Sequence, residues 1–440
     1  MNKLLEVKEF ENITCNIDYK DDPEYKYIEK EIFEELEKFI LTIESNNSDC
    51  EIMDFFKLTS KRNVGKVIQP KNYVGLIQMK NGFQVQILPK ISFSNMEETK
   101  KTFICMIKSL RDFSSKAFSD ADLKLERMNL YEVFINMYIQ EVRALVKKGL
   151  RFSYLSMEDN LNYFKGKLIV GEHIKRNSVH KERFYLEYNE FSVDRPENRL
   201  LKSTLLKLQE VSNNISNIKE IRKILSFFEM VERSQNYNKD FSKVIIDRNT
   251  RDYEKLMIWS KIFLMDRSFT TLSGSNIARS LLFPMEKLFE SYVTQNLKKL
   301  IDDLDWEISA QDKGFYLFDS PRQFALRPDI VITRKDGSKV VLDTKWKSLV
   351  NNPRQNYGIS QTDMYQMYAY SKKYNTSEIW LIYPVNEETK DVCDIEYKSS
   401  EYGENVVVSL FFVDVANITE SLEALKAKMK CGIKIEKVKL

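Results

Sequence analysis

Histidine and cysteine are scarce in this 440-residue sequence. His173 and His180 are the only two histidines, which disfavours a zinc site or a histidine-based nuclease. The five cysteines are scattered at Cys15, Cys50, Cys105, Cys393 and Cys431. They form no Cys-x-x-Cys pair, and their number is odd. A reducing cytoplasm therefore fits the chain better than export as a disulfide-bonded protein.

Other features are absent as well. No signal peptide and no run of about 18 apolar residues is present, so we expect no membrane segment. No Gly-x-x-x-x-Gly-Lys-Ser/Thr loop is present, so we do not expect the chain to hydrolyse nucleotides by itself. The 68 basic and 65 acidic residues leave a net charge of only +3, and any contact with DNA must use a local patch.

The length and the hydrophobic pattern predict two or three domains in a mixed α+β or α/β chain. We expect an N-terminal β-rich module over 1–95. Within it, a helix over 22–42 comes first and a hairpin at Asn81-Gly82 follows. A mostly helical middle region with short strands is predicted over 96–270. A C-terminal α/β sandwich is predicted over 275–440.

Finer patterns predict individual elements. In the middle region we expect helices over 97–117 and 128–148, the second of which stops at Gly149. Asp194 is predicted to cap a helix, with Glu197 completing a capping box. Gly274 is expected to mark a break. The C-terminal domain should then run as helix, hairpin, helix 361–374, strand 378–383, a strand around 405–415 and a helix over 419–430.

The most informative stretch is a pair of β-branched runs on either side of Lys335-Asp336-Gly337. A three-residue loop with glycine at its third position pairs Ile330 with Leu342 and Asp329 with Asp343. Opposed residues share a face, with their Cβ atoms about 4.5–5.5 Å apart. A two-residue Asp336-Gly337 turn is the alternative, and it would place the two aspartates on opposite faces.

The three-residue loop is favoured because it lets the carboxylates act together. Two such groups repel unless a proton or a cation lies between them. Oxygen ligands at this separation suit a hard divalent ion such as Mg²⁺. The other face of the hairpin carries four apolar residues that can pack on helices: Ile330, Ile332, Val340 and Leu342.

Pro328-Asp329 followed by Asp343-x-Lys345 resembles the signature of PD-(D/E)xK nucleases. An upstream helix over 283–293 carries Glu286 and Glu290 one turn apart. A downstream helix carries Gln366-x-x-x-Tyr370, an element found in a subset of these nucleases.

The chain as a whole resembles the McrC family, the nuclease subunit of McrBC-type modified-cytosine restriction systems. The segments that carry the resemblance are 281–293, 326–329 with 342–346, and 363–370, with looser similarity at 74–78, 87–90, 166–168 and 191–202. It extends from about residue 70 to about residue 385.

The resemblance implies metal-dependent cleavage of DNA phosphodiesters. Asp329 and Asp343 would hold Mg²⁺, or Mn²⁺ in its place, with the Thr344 carbonyl and with Glu290 completing the metal shell. Glu286 is the weaker candidate for that last ligand. Lys345 would activate the water or neutralise the transition state. Gln366 and Tyr370 would position the phosphate or the water.

The resemblance also implies a partner, an McrB-like AAA+ GTPase hexamer that reads modified DNA and translocates. This chain would dock on the hexamer through its N-terminal region, stimulate GTP hydrolysis and cut. Two alternatives are a catalytically inactive adaptor of the GTPase and a stand-alone restriction or repair nuclease.

A basic cluster in the middle region is a second candidate for DNA contact, since aromatic residues are interleaved with its charges. It consists of Lys165, Lys167, Lys175, Arg176, His180, Lys181 and Arg183, with Tyr163, Phe164, Phe184 and Tyr185 among them. A solvated face of a lysine-rich protein is an equally good interpretation.

Overall fold

The computed structural model describes residues 4–46, 55–79, 81–91, 94–110, 129–248, 250–265, 278–392, 395–401 and 404–436. The chain forms two compact units. One joins Met1–Ser115 to Leu272–Leu440, and the other is Lys116–Thr271. The predicted division into three domains, with boundaries near residues 95 and 275, stays a prediction. Among helices in the described ranges, none is both long and apolar enough to cross a membrane.

The N-terminal part of the first unit is rich in β structure, as predicted. Its strands are β1 (Leu4–Lys8), β2 (Asn12–Thr14), β3 (Tyr25–Tyr27), β4 (Phe56–Lys61), β5 (Gly65–Pro70), β6 (Tyr73–Met79) and β7 (Gln84–Leu88), and its helices are α1 (Lys30–Asn46) and α2 (Met96–Lys108). The strands form one sheet in the order β3-β2-β5-β4 and part of another in the order β1-β7-β6.

Three predictions in this part can be compared with the structure. The hairpin at Asn81-Gly82 is confirmed, since β6 and β7 pair antiparallel and Gly82 has a φ of 82°. The helix predicted over 22–42 begins only at Lys30 because β3 pairs with β2 instead. The helix predicted over 97–117 is present as α2 but ends earlier, at Lys108 with Ser109 as its cap, and residues 111–117 lie outside the described ranges.

The second unit combines helices with one three-stranded sheet. Its elements are α3 (Leu130–Lys148), β8 (Ser153–Leu161), β9 (Lys167–Leu168), α4 (Val170–Asn177), β10 (Phe184–Ser192), α5 (Pro196–Val211), α6 (Ile215–Leu225), α7 (Tyr237–Lys243) and α8 (Glu254–Met265). The sheet order is β8-β10-β9. Gly149 ends α3 with a φ of 91°, as expected of a helix stop.

The capping box predicted at Asp194 is wrong. Arg195 occupies the cap position, without a side-chain cap, and Pro196 opens the helix. Asp194 instead accepts hydrogen bonds from Arg199 and from the backbone N–H of Glu232. The helix begins one residue later than the capping box requires, so Asp194 lies outside the cap position and pairs with Arg199 instead.

The C-terminal part of the first unit is built on a six-stranded mixed sheet. Its elements are β11 (Ala278–Pro284), α9 (Met285–Ile301), β12 (Glu307–Ala310), β13 (Tyr316–Asp319), β14 (Arg322–Ala325), β15 (Ile330–Thr333), β16 (Lys339–Thr344), α10 (Gln361–Tyr374), β17 (Glu378–Pro384), β18 (Glu396–Glu401), β19 (Glu404–Val413) and α11 (Ile418–Glu436). The sheet order is β12-β15-β16-β17-β19-β18, β13 pairs with β14, and β11 extends the N-terminal sheet beside β6.

Burial explains this order. The central strand β17 is almost continuously apolar, and it lies between parallel neighbours β16 and β19. Helix α10 covers one sheet face, over Val331 and Val341. Helices α9 and α11 pack together, with α9 against β16 and α11 against β19. The predicted element order is confirmed, although β12, β13, β14 and β18 were not foreseen and Gly274 lies outside the described residues.

The hairpin register is the one that the three-residue loop requires. Ile330 pairs with Leu342, and the Arg334 backbone N–H donates to the Ser338 carbonyl over 2.9 Å. Gly337 has a φ of 82°, in the left-handed region that favours glycine. The two-residue turn is therefore wrong, and continuing the register by one residue places Asp329 opposite Asp343.

Replacing Gly337 by alanine should lower the stability of the hairpin. A side chain there meets open space, so the cost of about 1 kcal/mol is the left-handed φ alone. We expect the thermal unfolding midpoint to fall by about 2 °C. Gly337→Asn is the matched control and should lose less, because asparagine tolerates this conformation. Equal losses in the two variants would contradict the explanation.

Candidate functional site

Asp329 lies at the start of β15 and is held by the opposite strand. Its Oδ2 accepts hydrogen bonds from the Thr344 backbone N–H over 2.7 Å and from the Thr344 hydroxyl over 2.6 Å. Burial raises the pKa of Asp329, and the two hydrogen bonds from Thr344 oppose that shift. Thr344 was predicted to contribute its carbonyl to the metal site. In the structure its backbone N–H and its hydroxyl also orient Asp329.

Asp343 lies in β16 and is 1% exposed. Burial and the nearby charge of Asp329 raise its pKa to about 7, against the opposing effect of Lys345. The Lys345 ammonium lies 2.7 Å from Asp343 Oδ2. This ion pair partly offsets the burial of Asp343, because a nearby positive charge favours the ionised carboxylate. The two carboxyl groups are therefore close and poorly solvated.

Lys345 stands among three acidic groups and one amide. Its Nζ lies 4.0 Å from Asp363 Oδ1 and donates to Gln366 Oε1 over 3.4 Å, in addition to its ion pair with Asp343. Burial lowers the pKa of Lys345, but the charges of Asp343, Asp329 and Asp363 outweigh it and raise the pKa overall. The Lys345 side chain is 28% exposed, so part of it can be reached from solvent.

Gln366 and Tyr370 lie one turn apart on α10, on the side that faces the carboxylates. The amide Nε2 of Gln366 donates to the Tyr370 hydroxyl over 2.6 Å. This bond fixes the amide so that its oxygen points to Lys345. Tyr370 is almost fully buried, and burial raises the pKa of its hydroxyl. The structure thus brings both predicted helix residues to the site, with Tyr370 acting through Gln366.

Glu290 is linked to Asp329 through Gln311. Its Oε1 accepts a hydrogen bond from Gln311 Nε2 over 3.0 Å, and the Gln311 backbone N–H donates to the Asp329 carbonyl over 2.8 Å. In the described part of the chain, no group of three or more histidine, cysteine, aspartate or glutamate side chains is arranged to hold a metal ion. Glu290 as a metal ligand stays a prediction, and Glu286, one turn earlier, is exposed.

The residues present fit a hard divalent cation. The donors are carboxylate oxygens, which suit Mg²⁺ and Mn²⁺. Asp343 Oδ2 is buried, and desolvation raises the pKa of both aspartates even though the Lys345 ammonium lies beside one of them. A cation between the two groups would relieve both penalties, because it compensates the charge that burial disfavours.

Gln311 and Glu9, two residues at or near this site, were not predicted from the sequence, and Asp363 was noted on the downstream helix without a role. Asp363 lies near Lys345, and its i, i+3 spacing from Gln366 on one helix was the available signal. Gln311 lies on the turn after β12, a strand that was not predicted. Glu9 is 1% exposed, and it accepts a hydrogen bond from the indole N–H of Trp346, next to Lys345. Glu9 and Trp346 are 337 positions apart in the sequence, so no local pattern could indicate this contact.

Some residues of the basic cluster in the middle region form ion pairs with a neighbouring glutamate. Glu172 accepts a hydrogen bond from Arg176 over 2.8 Å and pairs with Lys175 at 3.5 Å. Arg176 also stacks over the Tyr185 ring, and Lys165 lies over the Tyr188 ring. These contacts fit a solvated face and a DNA-binding face equally, so DNA contact here stays a prediction.

Divalent metal should stabilise the chain through the aspartate pair. We expect Mg²⁺ or Mn²⁺ to raise the thermal unfolding midpoint, with about 2.7 kcal/mol of stabilisation at 100 times the dissociation constant. Asp329→Asn should remove most of this response. Asp336→Asn, at the exposed loop of the same hairpin, is the matched control and should keep it. An undiminished response in Asp329→Asn would place the ion elsewhere.

Glu9 should make stability fall as pH rises. Burial raises its pKa from 4.5 to about 8. Between these values the folded chain keeps a proton that the unfolded chain releases, so the contribution of Glu9 to stability declines across this window. Glu9→Gln lacks that decline. The midpoint of Glu9→Gln minus that of the natural chain should therefore increase from pH 5 to pH 8, and a constant difference would argue against a buried, protonated Glu9.

Comparison with known proteins places the chain in a family. Residues 68–384 match the family described as McrBC 5-methylcytosine restriction system component. None of the curated proteins compared with the chain matches it. The fold is similar to a chain in the half-complex of Thermococcus gammatolerans McrB AAA+ hexamers with bound McrC, with 18% identity, a TM-score of 0.63 and coverage of 96% of this chain and 100% of that one.

A chain in the cryo-EM structure of the Thermococcus gammatolerans McrBC complex is also similar, at 18% identity and a TM-score of 0.49, over 68% of this chain and 88% of that one. The family match spans the segments on which the predicted resemblance rests, from about residue 70 to about residue 385. The resemblance is confirmed, and the chain belongs to the McrC family of McrBC 5-methylcytosine restriction system components.

Proposed function

We propose that this chain is the DNA endonuclease subunit of an McrBC-like type IV restriction complex. It cleaves phosphodiesters with Mg²⁺ at a PD-(D/E)xK site when an McrB-like AAA+ GTPase activates it. The observation that carries this proposal is the cluster of Asp329, Asp343 and Lys345. Two carboxyl groups are desolvated on one face of a hairpin, with an ammonium group 2.7 Å from one of them.

Such a cluster is costly for a structural element. Buried carboxyl groups destabilise a fold unless they are paired, and apolar residues would fill the same space at lower cost. Perturbed acidic groups beside a lysine are typical of sites that bind a metal and a phosphate. The cluster therefore favours a catalytic subunit over an inactive adaptor, which would have no use for the arrangement.

Asp329 and Asp343 would hold the ion, with the Thr344 carbonyl and Glu290 as further predicted ligands. Bound Mg²⁺ supplies an activated water and offsets negative charge on the phosphate. Thr344 orients Asp329 through two hydrogen bonds. The chain therefore arranges its acceptor oxygens before any substrate arrives, which is what preorganised catalysis requires.

Lys345 would act on the substrate directly. Its side chain is partly exposed and its ammonium lies beside Asp343, where it would donate to a phosphate oxygen or to the attacking water and stabilise the negative charge of the transition state. Gln366 holds one side of this ammonium, and Tyr370 holds Gln366. We assign Lys345 and Gln366 to the reaction and Tyr370 to the orientation of Gln366.

Family membership supports the choice of partner. The Thermococcus gammatolerans half-complex of similar fold contains McrB AAA+ hexamers with bound McrC. We propose that this chain docks on a comparable hexamer through its N-terminal β-rich part and stimulates GTP hydrolysis there. The description of the family names 5-methylcytosine, so we propose DNA that carries modified cytosine as the substrate.

Asp343→Ala should abolish cleavage and leave the partner's GTP hydrolysis stimulated. We expect the rate of DNA cleavage to fall more than about 100-fold, because the site loses a carboxylate of its metal shell. The measurement is cleavage of methylated plasmid by the chain together with its McrB-like partner, GTP and Mg²⁺, with phosphate release followed in parallel.

Asp336→Ala is the matched control for this experiment. It removes the same side chain at the exposed end of the same hairpin and should cleave at the natural rate. Cleavage by Asp343→Ala would refute the nuclease site. Loss of both cleavage and GTPase stimulation would mean that Asp343 is needed for folding. Cleavage by the natural chain without a partner would favour the stand-alone nuclease.

A further inference from the structure

Glu9 is a buried carboxyl group that the proposed reaction does not use. It lies just after β1, and its backbone N–H donates to the Leu88 carbonyl over 3.0 Å. Its Oε2 accepts one hydrogen bond from the Lys90 backbone N–H over 3.0 Å and another from the Trp346 indole over 3.1 Å. The N-terminal sheet thus holds Glu9 firmly and presents it to a residue of the C-terminal part.

Trp346 lies just beyond the end of β16, next to Lys345. Strand β16 ends at Thr344, and the Lys345 backbone N–H makes the next bond to the Ile382 carbonyl. Trp346 therefore follows the last residue that the sheet holds. Its ring is 8% exposed and packs on Phe289, the neighbour of Glu290, with 5.3 Å between ring centroids. Side-chain contacts fix this tryptophan and, through the backbone, restrict Lys345.

We propose that Glu9 is a positioning residue of the cleavage site. It fixes Trp346 and so sets where the Lys345 ammonium stands between Asp343 and Gln366. This inference rests on the proposed nuclease function. It means that the N-terminal β-rich part helps to shape the catalytic strand in addition to its proposed role in docking.

The chemistry of the contact favours positioning over stability. A carboxyl group in this place pays a large desolvation penalty, which raises its pKa. A neutral acceptor would satisfy the indole at lower cost. Glu9 Oε2 nevertheless accepts from both the Trp346 indole and the Lys90 backbone N–H, so one oxygen joins the two segments. The contact therefore ties the catalytic strand to the turn after β7 with a defined geometry.

The test compares Glu9→Leu, Trp346→Phe and the double variant in the full chain. Leucine keeps the volume of Glu9 and removes both acceptors, and phenylalanine keeps the packing on Phe289 and removes the indole N–H. Glu6→Gln is the matched control, because Glu6 lies on the same strand and accepts from Gln86 instead of Trp346. Each chain is measured for Mn²⁺ affinity by calorimetry without a partner, for its thermal unfolding midpoint, and for kcat and KM of partner-dependent cleavage.

Glu9→Leu should lower kcat about 10-fold and leave KM for DNA unchanged, and it should weaken Mn²⁺ binding, as changes behind a metal site commonly do. Trp346→Phe should have the same effect. The double variant should be no worse than either single variant, because both remove one interaction. Glu6→Gln should match the natural chain.

Glu9→Gln separates positioning from folding. Its amide oxygen can still accept from the indole, so it should recover most of the kcat lost in Glu9→Leu. The inference is overturned if Glu9→Leu keeps the natural kcat and Mn²⁺ affinity, or if the losses in the two single variants multiply. It is also overturned if Glu9→Leu has a lower thermal unfolding midpoint but, at temperatures where it is folded, has the kcat and the Mn²⁺ affinity of the natural chain.

Failure of the proposed function gives a different result. A natural chain that does not cleave with its partner refutes the nuclease, and the Mn²⁺ isotherms of the variants still decide whether Glu9 acts on the metal site. A natural chain that neither cleaves nor binds Mn²⁺ refutes both proposals.

Discussion

The site depends on the mutual repulsion of two carboxyl groups that one hairpin holds together. Asp329 and Asp343 meet where β15 begins and β16 ends, away from bulk water, and their pKa values are raised as a result. A group in that state needs a positive charge beside it. Lys345 supplies one such charge, and a divalent cation would supply the rest. The remaining contacts of the site orient these three groups.

The hairpin can hold the two carboxyl groups together because it is packed on both of its faces. Its apolar residues are fully buried on both faces, with α10 over Val331 and Val341. At the far end of the hairpin, Arg334 donates to Glu378 over 2.7 Å and to the Met429 carbonyl over 2.9 Å. Packing on both sides leaves the aspartates little freedom to move apart. The strain of like charges is therefore held in place instead of being relaxed by local rearrangement.

Much of the site could be predicted because its members are close in sequence or lie on one periodic element. Asp329 and Asp343 follow from a loop length and a glycine, since antiparallel pairing converts sequence distance into spatial register. Gln366 and Tyr370 follow from helical spacing. Asp194 shows the limit of such local rules, because it had the pattern of a cap and was recruited by Arg199 and by the backbone of Glu232 instead.

The sequence by itself determined the elements whose partners are near neighbours: the two hairpins at Gly82 and Gly337, the length of α10, and the face on which the aspartates lie. It also carried the family resemblance. Only the tertiary structure decided that β11 completes the N-terminal sheet, that Gln311 stands between Glu290 and Asp329, and that Glu9 holds Trp346. These contacts join residues that are far apart along the chain. They depend on how whole sheets pack, and no periodicity or turn motif in the sequence encodes that packing.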